Sequence, residues 1–374
     1  MDLAPLLAPR SVAVIGASQQ GGRATGAVRN LLELGFPGAI YPINPKYDTV
    51  LDLPCYPSLD AVPASIDLVA IGIPSEHVLE VLAQGLSKRR ASGSDFRQRL
   101  RRGGGRRQKA TSELEAFAVR TKMLICGRNC LGIINFHTHG ACYSSTSPKN
   151  VSKGDVALVS QSGTVIVAMA RSRRGIGFSH MVSCGNEATL SVSRYIRYLV
   201  DDPNTRVIGT FLEGIKEPEV FVEAAEADRR AAKPLIVVKT GRSALGSAAS
   251  AAHTGSLAGS HEVQRALFRQ KGIVDCDDLD EWVEAIELFR RAPAPRVKGI
   301  GLIGISGGEN ALVLDHAAEI GLDIPALSET AKRRLAELLP WFARLENPVD
   351  PTGAISNNPD IYRKCLEVLA AEPN

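Results

Sequence analysis

Three features are scarce or missing in this 374-residue sequence, and each absence excludes a class of protein. No apolar run approaches the roughly 20 residues that a membrane-spanning helix needs, and the N-terminus has no basic segment of the kind that opens a secretory signal. Aromatic residues make up only 5% of the chain, which argues against a stacking platform for single-stranded nucleic acid. We therefore expect a cytoplasmic protein that binds neither a membrane nor nucleic acid.

Paired metal-binding motifs are also missing. The seven cysteines are scattered, and the nearest pair, Cys126 and Cys130, has no second pair to complete a zinc site. We expect unpaired, mostly buried thiols, as in a reducing compartment. His137 and His139 are spaced to share one face of a strand, but the sequence offers them no third ligand. We expect no metal site.

The net charge of +4 comes from one segment. Residues 88–109 carry ten Lys or Arg and one acid, so the rest of the chain has a net charge of −5. A general basic surface for nucleic acid is therefore not indicated. Two explanations of the segment stay open: a solvated basic loop, or a stretch whose reading frame differs from the ancestral one. In either case, residues 85–110 are expected to be irregular.

The remaining pattern predicts an α/β protein. Short apolar, β-branched runs alternate with helical segments, which is typical of parallel sheets covered by helices on both faces. We predict three domains: a Rossmann-like domain over residues 1–145, a second α/β domain over 150–291 and a third over 297–374. The third has too few strands for a complete domain, so the sequence is expected to be a truncated chain or a fragment.

Three predicted strands each run into a glycine-containing turn and then a helix, at residues 16–22, 160–164 and 306–308. Such a junction directs free backbone N–H groups and the positive end of a helix dipole at an anion. None has the Walker pattern or the GxGxxG dinucleotide pattern. Residues 160–164, with two serine hydroxyls and a glycine amide, are the best suited to inorganic phosphate or a phosphoryl group.

Several side chains have both a chemical and an ordinary interpretation. His253 lies among small residues and two glycines, so it is either a nucleophilic imidazole open to a large ligand or an incidental residue of a flexible loop. Glu213 follows a predicted strand, where it either orients His253 or lies on the surface. Lys46 either contacts a ligand phosphate or is solvated, and Cys130 either faces a thiol-bearing ligand or lies in the core.

Several motifs, in order along the chain, resemble the CoA-binding half of the NDP-forming acyl-CoA synthetases, the superfamily of succinyl-CoA synthetase and ADP-forming acetate–CoA ligase. The resemblance covers nearly the whole chain except about residues 85–110. The matching motifs are Gly16-Ala17-Ser18, Asn44-Pro45-Lys46, Ile73-Pro74, Asn129-Cys130-Leu131-Gly132, Ser160-Gln161-Ser162-Gly163, Leu212-Glu213-Gly214-Ile215, His253-Thr254-Gly255 with Leu257-Ala258-Gly259, and Asn347-Pro348-Val349-Asp350.

The resemblance implies a Rossmann-like CoA-binding domain followed by flavodoxin-like domains, the last incomplete. It makes His253 the phosphohistidine, with Glu213 orienting it. The residues it assigns to CoA are Gly16, Ala17, Ser18, Gln19, Lys46, Ile73, Pro74, Asn129 and Cys130. The residues it assigns to phosphate are Ser160, Gln161, Ser162, Gly163 and Thr164.

The implied reaction makes acyl-CoA, ADP and phosphate from a carboxylic acid, CoA and ATP. ATP phosphorylates the enzyme, the phosphoryl group passes through His253 to the carboxylate, and CoA displaces phosphate from the acyl phosphate. The acid could be acetate or a larger aryl or hydroxycinnamic acid such as ferulate. The resemblance also implies an oligomer. Because these 374 residues contain no ATP-grasp domain, ATP or ADP with Mg²⁺ would bind a partner subunit or a missing region.

Two departures and three alternatives accompany this interpretation. Arg128 stands where the family usually has proline, which puts the geometry of that loop in question, and the basic segment replaces a family βα unit. The main alternative is a non-catalytic module that senses CoA or acyl-CoA. Retention of both His253 and Glu213 favours the enzyme. An NAD-dependent dehydrogenase is disfavoured by the missing dinucleotide pattern, and a nucleic-acid binder by the lack of interleaved aromatics.

Overall fold

The computed structural model describes residues 1–87, 92–95, 104–145, 147–248, 261–292, 299–355 and 358–373. The chain divides into two compact units, Met1–Arg291 and Ala292–Asn374. The first unit includes residues 1–145 and 150–291, which were predicted to be two domains, and the second unit includes residues 297–374, for which a third domain was predicted.

The first sheet has five parallel strands in the order β2–β1–β5–β6–β7. All five residues of β1 are buried, as the continuous apolar sequence SVAVI predicts for a strand covered on both faces. The strands of this region are β1 (Ser11–Ile15), β2 (Ala39–Ile43), the short hairpin β3 (Thr49–Val50) and β4 (Leu53–Pro54), β5 (Leu68–Ile71), β6 (Ser92–Asp95) and β7 (Ile125–Cys126). Its helices are α1 (Ala4–Leu7), α2 (Arg23–Glu33), α3 (Val78–Ser87) and α4 (Gly104–Thr121).

Strand β6 lies inside the segment 85–110, which was expected to be irregular. The structure pairs β6 in parallel with β5 on one side and β7 on the other. The sequence Ser-Gly-Ser-Asp has no strand signal of its own. Backbone N–H and C=O groups on two neighbouring strands supply the hydrogen bonds, whatever the side chains are. Residues 88–91 and 96–103 lie outside the described part of the chain.

The second sheet has seven strands in the order β14–β13–β12–β10–β11–β8–β9. Strands β10 to β14 pair in parallel, and the ribbon β8–β9 is antiparallel. Its strands are β8 (Gly132–Asn135), β9 (Gly140–Tyr143), β10 (Lys153–Ser160), β11 (Phe178–Ser183), β12 (Val207–Leu212), β13 (Leu235–Lys239) and β14 (Val274–Cys276). The helices are α5 (Gly163–Arg171), α6 (Val192–Asp201), α7 (Pro218–Arg230), α8 (His261–Lys271) and α9 (Leu279–Arg291).

The ribbon β8–β9 joins the two halves of the first unit. The sequence places it in the first predicted domain, which was expected to end near residue 145, yet β8 pairs with β11 of the second sheet. Two buried amides fasten the ribbon to the first half: Asn30 Nδ2 of α2 donates to the Tyr143 carbonyl at 2.6 Å, and Asn135 Nδ2 donates to the Leu7 carbonyl at 3.0 Å. The two halves therefore share a sheet and a core.

The helices bury one apolar face each. In α6, the side chains of Tyr195, Ile196 and Leu199 are fully buried, and Arg194 and Arg197 on the opposite face are partly exposed. This spacing is typical of a helix packed on a sheet. No helix within the described ranges is long and apolar enough to cross a membrane.

The second unit is mainly helical in its described residues. Its helices are α10 (Gly307–Ile320), α11 (Glu329–Leu338) and α12 (Pro359–Ala370). The predicted strand at residues 299–305 pairs only through an isolated bridge between Ile303 and Val349. Leu335, Val349 and Cys365 are buried together, so this unit has a small core of its own. Whether it is part of a flavodoxin-like domain stays a prediction.

Candidate functional site

Both sheets present a crevice where the strand order reverses. In the first sheet the crevice lies between β1 and β5, and in the second between β10 and β12. The carboxyl ends of parallel strands at such points are the usual ligand-binding edge of doubly wound sheets. We call the segments that leave these strands the β1 turn (residues 16–22), the β10 turn (residues 160–164) and the β12 turn (residues 213–214).

The β1 turn combines glycines of positive φ with hydrogen bonds to side chains. Gly16 has a φ of 86°, and a Cβ there would lie 2.9 Å from Ile73 Cγ2, so two residues assigned to CoA meet at the crevice. Asn44 Nδ2 donates to the Ala17 carbonyl at 2.8 Å. The Ser18 N–H donates to Thr25 Oγ1 at 2.9 Å. These contacts fix the path of the chain into α2.

The end of the β1 turn is open to a ligand. A Cβ on Gly21 or Gly22 would meet nothing within 4 Å, and both residues have positive φ. Helix α2 begins at Arg23, and no side chain caps its first turn. Backbone N–H groups at such a helix start favour an anion. Other residues assigned to CoA lie nearby in the fold: Gln19 Nε2 donates to the Thr49 carbonyl, and the exposed Lys46 follows β2.

The β10 turn is held by side chains. Ser160 is fully buried, and its hydroxyl donates to the Ser162 carbonyl at 2.8 Å while accepting from the Ser162 N–H at 3.1 Å. Helix α5 then begins at Gly163, again with no side-chain hydrogen bond capping it. The Ser160 hydroxyl is thus bonded within the turn. Ser162, Gly163 and Thr164, also assigned to phosphate, surround the uncapped start of α5.

Gln161 connects the β10 turn to the β12 turn. Its Oε1 accepts hydrogen bonds from the backbone N–H groups of Glu213 and Gly214, the latter at 3.1 Å. Its Nε2 donates to the Gly214 carbonyl at 2.8 Å. The predicted catalytic Glu213 and the predicted phosphate residue Gln161 are therefore in direct contact.

Lys239, which the sequence gave no reason to select, holds the other side of the β12 turn. It is the last residue of β13 and only 4% exposed. Its Nζ donates to the Glu213 carbonyl at 2.9 Å and also to the Thr240 carbonyl. Burial lowers the pKa of Lys239, and the nearby Glu213 carboxylate acts in the opposite direction.

The loop over residues 127–131 packs on the segment that follows β11. Asn129 Nδ2 donates to Asn186 Oδ1 at 3.3 Å, and Ser183 Oγ accepts from the Leu131 N–H at 3.1 Å. The carbonyl of Arg128 accepts from the Asn186 N–H at 2.8 Å. Arg128 itself is buried, so the loop accommodates this departure from the family pattern. Loop and segment form one layer beside the β10 turn.

These segments enclose a cavity of about 700 Å³. It brings together two sets that the sequence assigned separately, the CoA residues Asn129 and Cys130 and the phosphate residues of the β10 turn. Leu131 of the same motif also lines it, together with three residues that the sequence did not single out: Arg23, Ser145 and Val167. A Cβ on Gly163 would lie 2.9 Å from Leu131 Cγ, so Leu131 closes the cavity against the start of α5.

Some predicted residues lie elsewhere. Gly16, Lys46, Ile73 and Pro74 do not line this cavity but belong to the crevice and loops of the first sheet. Cys130 is both a cavity residue and a core residue, since it is only 1% exposed. His253 lies outside the described residues.

Glu187 is a buried carboxyl near the cavity that sequence reasoning missed. It lies in the segment after β11 and is 4% exposed. Its Oε1 accepts from the Val192 N–H at 2.6 Å, and the side chains of Gln161 and Cys184 also lie against the carboxyl group. Burial raises its pKa to about 7, although the Val192 N–H favours the charged form. No local pattern marks this glutamate, because its burial depends on the packing of distant segments.

His137, His139 and His180 make local contacts, and most of the seven cysteines are buried. His137 Nε2 and His139 Nδ1 each contact a backbone carbonyl, of Gly154 and Leu34 respectively, so they do not converge. Burial lowers the pKa of His180 to about 4 despite Asp202 at 3.5 Å. All seven cysteines lie in described segments; none forms a disulfide, and six are buried. No group of three or more His, Cys, Asp or Glu there could hold a metal ion.

Two protein families match the chain. Residues 10–135 match the family described as a CoA binding domain, and residues 153–289 match the succinyl-CoA ligase like flavodoxin domain. The two matches correspond to the two sheets, apart from the ribbon β8–β9, which begins inside the first match and ends between the two.

Several curated relatives are 34% identical to the chain over most of its length. Acetate–CoA ligase [ADP-forming] I of Archaeoglobus fulgidus covers 99% of the chain, which spans 53% of that protein. Trans-feruloyl-CoA synthase, from an unknown prokaryotic organism, covers 97%, and the chain spans 52% of it. The chain thus spans about half the length of these two relatives. The alpha subunit of acetate–CoA ligase [ADP-forming] I of Pyrococcus furiosus covers 94% of the chain, which spans 77% of that subunit.

A solved structure has the same fold over the whole chain. It is the dinucleotide forming acetyl-coenzyme A synthetase 1 of Ca. Korarchaeum cryptofilum in complex with phosphate and ADP, with a TM-score of 0.92 at 30% identity. It covers 100% of this chain, which in turn covers 80% of that chain. The two family matches, the alpha-subunit relative and this structure agree. The chain belongs to the NDP-forming acyl-CoA synthetase superfamily, together with the ADP-forming acetate–CoA ligases.

Proposed function

We propose that the chain is the CoA-binding, phosphohistidine-bearing part of an ADP-forming acyl-CoA synthetase. The observation that carries the proposal is the cavity of about 700 Å³, where the loop at Asn129 and Cys130 faces the β10 turn. The final step of the reaction requires a thiol and an acyl phosphate to meet, and a cavity shared by a CoA loop and a phosphate turn provides that meeting place.

The residues present fit phosphate and CoA as substrates. The uncapped start of α5 offers backbone N–H groups to phosphate, with the hydroxyls of Ser162 and Thr164 beside them. Arg23 adds a positive charge on the same cavity wall. The open glycines at the end of the β1 turn let the backbone approach the phosphates of CoA. Asn129 and Cys130 then lie on the path of the pantetheine arm toward the β10 turn.

The chain's own residues have distinct tasks in the reaction. Glu213 accepts a hydrogen bond from one nitrogen of His253 and leaves the other nitrogen free to accept and release the phosphoryl group. The N–H groups of α5 stabilise charge on the phosphoryl oxygens during transfer to the carboxylate of the substrate. When the CoA thiol attacks the acyl carbon, the same groups stabilise the departing phosphate.

The nucleotide and the acid are assigned by class only. We propose that ATP and Mg²⁺ bind an ATP-grasp subunit or a further domain, since one relative is named as an alpha subunit and two others are about twice as long. The acid is acetate or a larger aryl or hydroxycinnamic acid such as ferulate, because both kinds of acid appear in the names of equally similar relatives. A screen of carboxylic acids for thioester formation would identify it.

The first test is phosphorylation of His253. We would mix the chain with a family ATP-grasp subunit and Mg-ATP and measure an acid-labile phosphoryl group by mass spectrometry. His253→Asn is expected to abolish labelling, and Glu213→Ala to slow it about 10- to 100-fold because the imidazole loses its orienting partner.

The matched control is His316→Asn, which removes an exposed histidine of α10 and is expected to label at the parent rate. Labelling that persists in His253→Asn would contradict the assignment. If the parent binds CoA but does not label, the non-catalytic CoA-sensing module becomes the better interpretation.

A further inference from the structure

The β12 turn is held mainly by two side chains, Gln161 of the β10 turn and Lys239 at the end of β13. The backbone of Glu213 and Gly214 offers two N–H groups and two carbonyl oxygens. Gln161 accepts from both N–H groups and donates to the Gly214 carbonyl, and Lys239 donates to the Glu213 carbonyl. Each backbone polar group of the turn is therefore bonded to either Gln161 or Lys239.

This use of Gln161 differs from the role that the sequence assigned to it. A glutamine amide has two acceptor sites and two donors, and three of these four are directed at the β12 turn. The Gln161 backbone N–H also donates to the Phe211 carbonyl at 3.2 Å. The residue thus bonds the end of β12 from both its main chain and its side chain.

Lys239 is held rigidly in turn. Arg242 Nε donates to the Lys239 carbonyl at 2.9 Å, and the Lys239 side chain is buried at the end of β13. A buried ammonium costs desolvation energy unless it is bonded to acceptors. Placing that charge on the Glu213 carbonyl fixes the direction in which the Glu213 side chain leaves the backbone.

We propose that Gln161 and Lys239 are positioning residues for Glu213, and that the Gln161 side chain acts through the β12 turn instead of binding phosphate. The inference rests on the proposed function, in which Glu213 orients His253. Because Gln161 belongs to the β10 turn, the same contacts also fix the distance between the phosphate-binding residues and the orienting carboxylate. An orienting group that is misplaced slows transfer without weakening the binding of either substrate.

The test uses Gln161→Met and Lys239→Met, which keep length and apolar stem but remove the hydrogen bonds. Each is mixed with the ATP-grasp subunit, and the single-turnover rate of His253 phosphorylation is measured. We expect the rate to fall about 10- to 100-fold. In the reverse reaction, from acyl-CoA, ADP and inorganic phosphate, the KM for phosphate is expected to change by less than about twofold.

A double-mutant cycle shows whether the two residues act through Glu213. In the Glu213→Ala background, Gln161→Met and Lys239→Met are expected to cause little further loss, since the group that they position is gone. Losses that multiply in the double variants would overturn the proposal. A large rise in the phosphate KM of Gln161→Met would show that its side chain binds phosphate, and would overturn the proposal for that residue.

Conservative variants and controls keep the test decisive. Gln161→Glu retains the acceptor for both N–H groups, so its rate of His253 phosphorylation is expected to fall less than that of Gln161→Met. If Lys239→Met does not fold, Lys239→Arg, which retains the cation, takes its place. Gln270→Met and Lys332→Met make the same changes at exposed or partly exposed positions of α8 and α11 and are expected to label at the parent rate. Failure of the parent to label His253 would contradict the proposed function, whereas normal labelling in all the variants would contradict only the positioning role.

Discussion

The β1 turn and the β10 turn occupy equivalent places in their sheets, but their backbones differ in conformation. Each follows a central parallel strand and leads into a helix whose first turn has no side-chain cap. In the β1 turn the chain direction depends on glycines with positive φ at Gly16, Gly21 and Gly22, and hydrogen bonds to the Asn44 and Thr25 side chains support it. In the β10 turn it depends on the Ser160 hydroxyl and the Gln161 amide.

The difference matches what each turn has to accommodate. A turn built from glycine backbone leaves room for a bulky ligand to lie along it, because no Cβ occupies the space. A turn held by buried side chains keeps its N–H groups at a fixed distance from neighbouring catalytic groups. The β1 turn is therefore suited to the phosphates of CoA, and the β10 turn to a small group that must be held in register with Glu213.

The largest effect is expected from breaking the β1 turn with Gly16→Ala. The positive φ of 86° strains any residue with a Cβ, and the new atom would lie 2.9 Å from Ile73 Cγ2 and 3.3 Å from the Gly72 carbonyl. Ile73 is β-branched and cannot easily turn away. We expect a loss of about 3 kcal/mol in the free energy of unfolding, measured by urea denaturation, and weaker CoA binding.

Gly21→Ala tests backbone strain in the absence of a steric clash. Gly21 has nearly the same φ, 89°, but a Cβ there would meet nothing within 4 Å. We expect a loss of only about 1 kcal/mol from strain alone. Equal losses in the two variants would mean that the contact with Ile73 has no energetic role.

A second effect concerns the segment that supports the β10 turn, where the Cys184 N–H donates to the Ser160 carbonyl at 3.0 Å. The pKa of Glu187 in this segment is raised by burial from 4.5 to about 7. The folded state therefore holds the proton more tightly, and stability falls as the pH rises from 4.5 to about 7. The Gln side chain does not titrate. We therefore expect the free energy of unfolding of the parent to fall by about 2 kcal/mol relative to that of Glu187→Gln between about pH 5 and about pH 8.

Other buried groups titrate in the same range but are common to parent and variant. Burial raises the pKa of Asp228 to about 7 and lowers that of His180 to about 4. Stability therefore falls with rising pH because of Asp228, as it does for Glu187, and rises with pH because of His180. Asp228→Asn is the matched variant on α7, away from the turns. Urea denaturation at about pH 5 and about pH 8 measures the difference in the free energy of unfolding between parent and variant. If that difference is the same at both pH values for Glu187→Gln, Glu187 stays ionised in the folded protein.

The smallest effect is expected from Ser160→Ala, which removes the hydroxyl inside the β10 turn. The Ser162 N–H and carbonyl would lose their partner, at a cost of about 1 kcal/mol. Ser18→Ala removes the comparable hydroxyl of the β1 turn, which donates to the Gly21 carbonyl at 2.9 Å in a half-buried setting. There we expect less than about 0.5 kcal/mol because water can replace it. A reversed order of the two losses would contradict the distinction between the turns.

Much of the fold follows from local patterns. The largely apolar runs Val207–Leu212 and Leu235–Lys239 predict buried strands, and the structure has β12 and β13 there. The pairing of β8 with β11 was not predictable, because register between segments about 50 residues apart leaves no local signal. The strand β6 was missed for the opposite reason, since its neighbours impose a conformation that its own residues do not favour.

The candidate site divides in the same way. The residue types that line the cavity at Asn129, Ser162 and Thr164 could be named from motifs, since glycine turns and hydroxyls mark phosphate-binding segments. The hydrogen-bond partners of the site residues could not be named from motifs. Lys239 ends an ordinary strand, and its contact with Glu213 depends on the order of strands in the sheet. The role of a side chain that acts through hydrogen bonds to distant backbone is visible only once the fold is known.

The ribbon β8–β9 has a mechanical consequence for the whole compact unit. It leaves the half that carries the β1 turn, adds two strands to the other half and is tied back by Asn30 and Asn135. Displacing one half relative to the other would therefore break backbone hydrogen bonds between β8 and β11. A chain cut between the halves would leave β11 as an open apolar edge, prone to pairing with other chains.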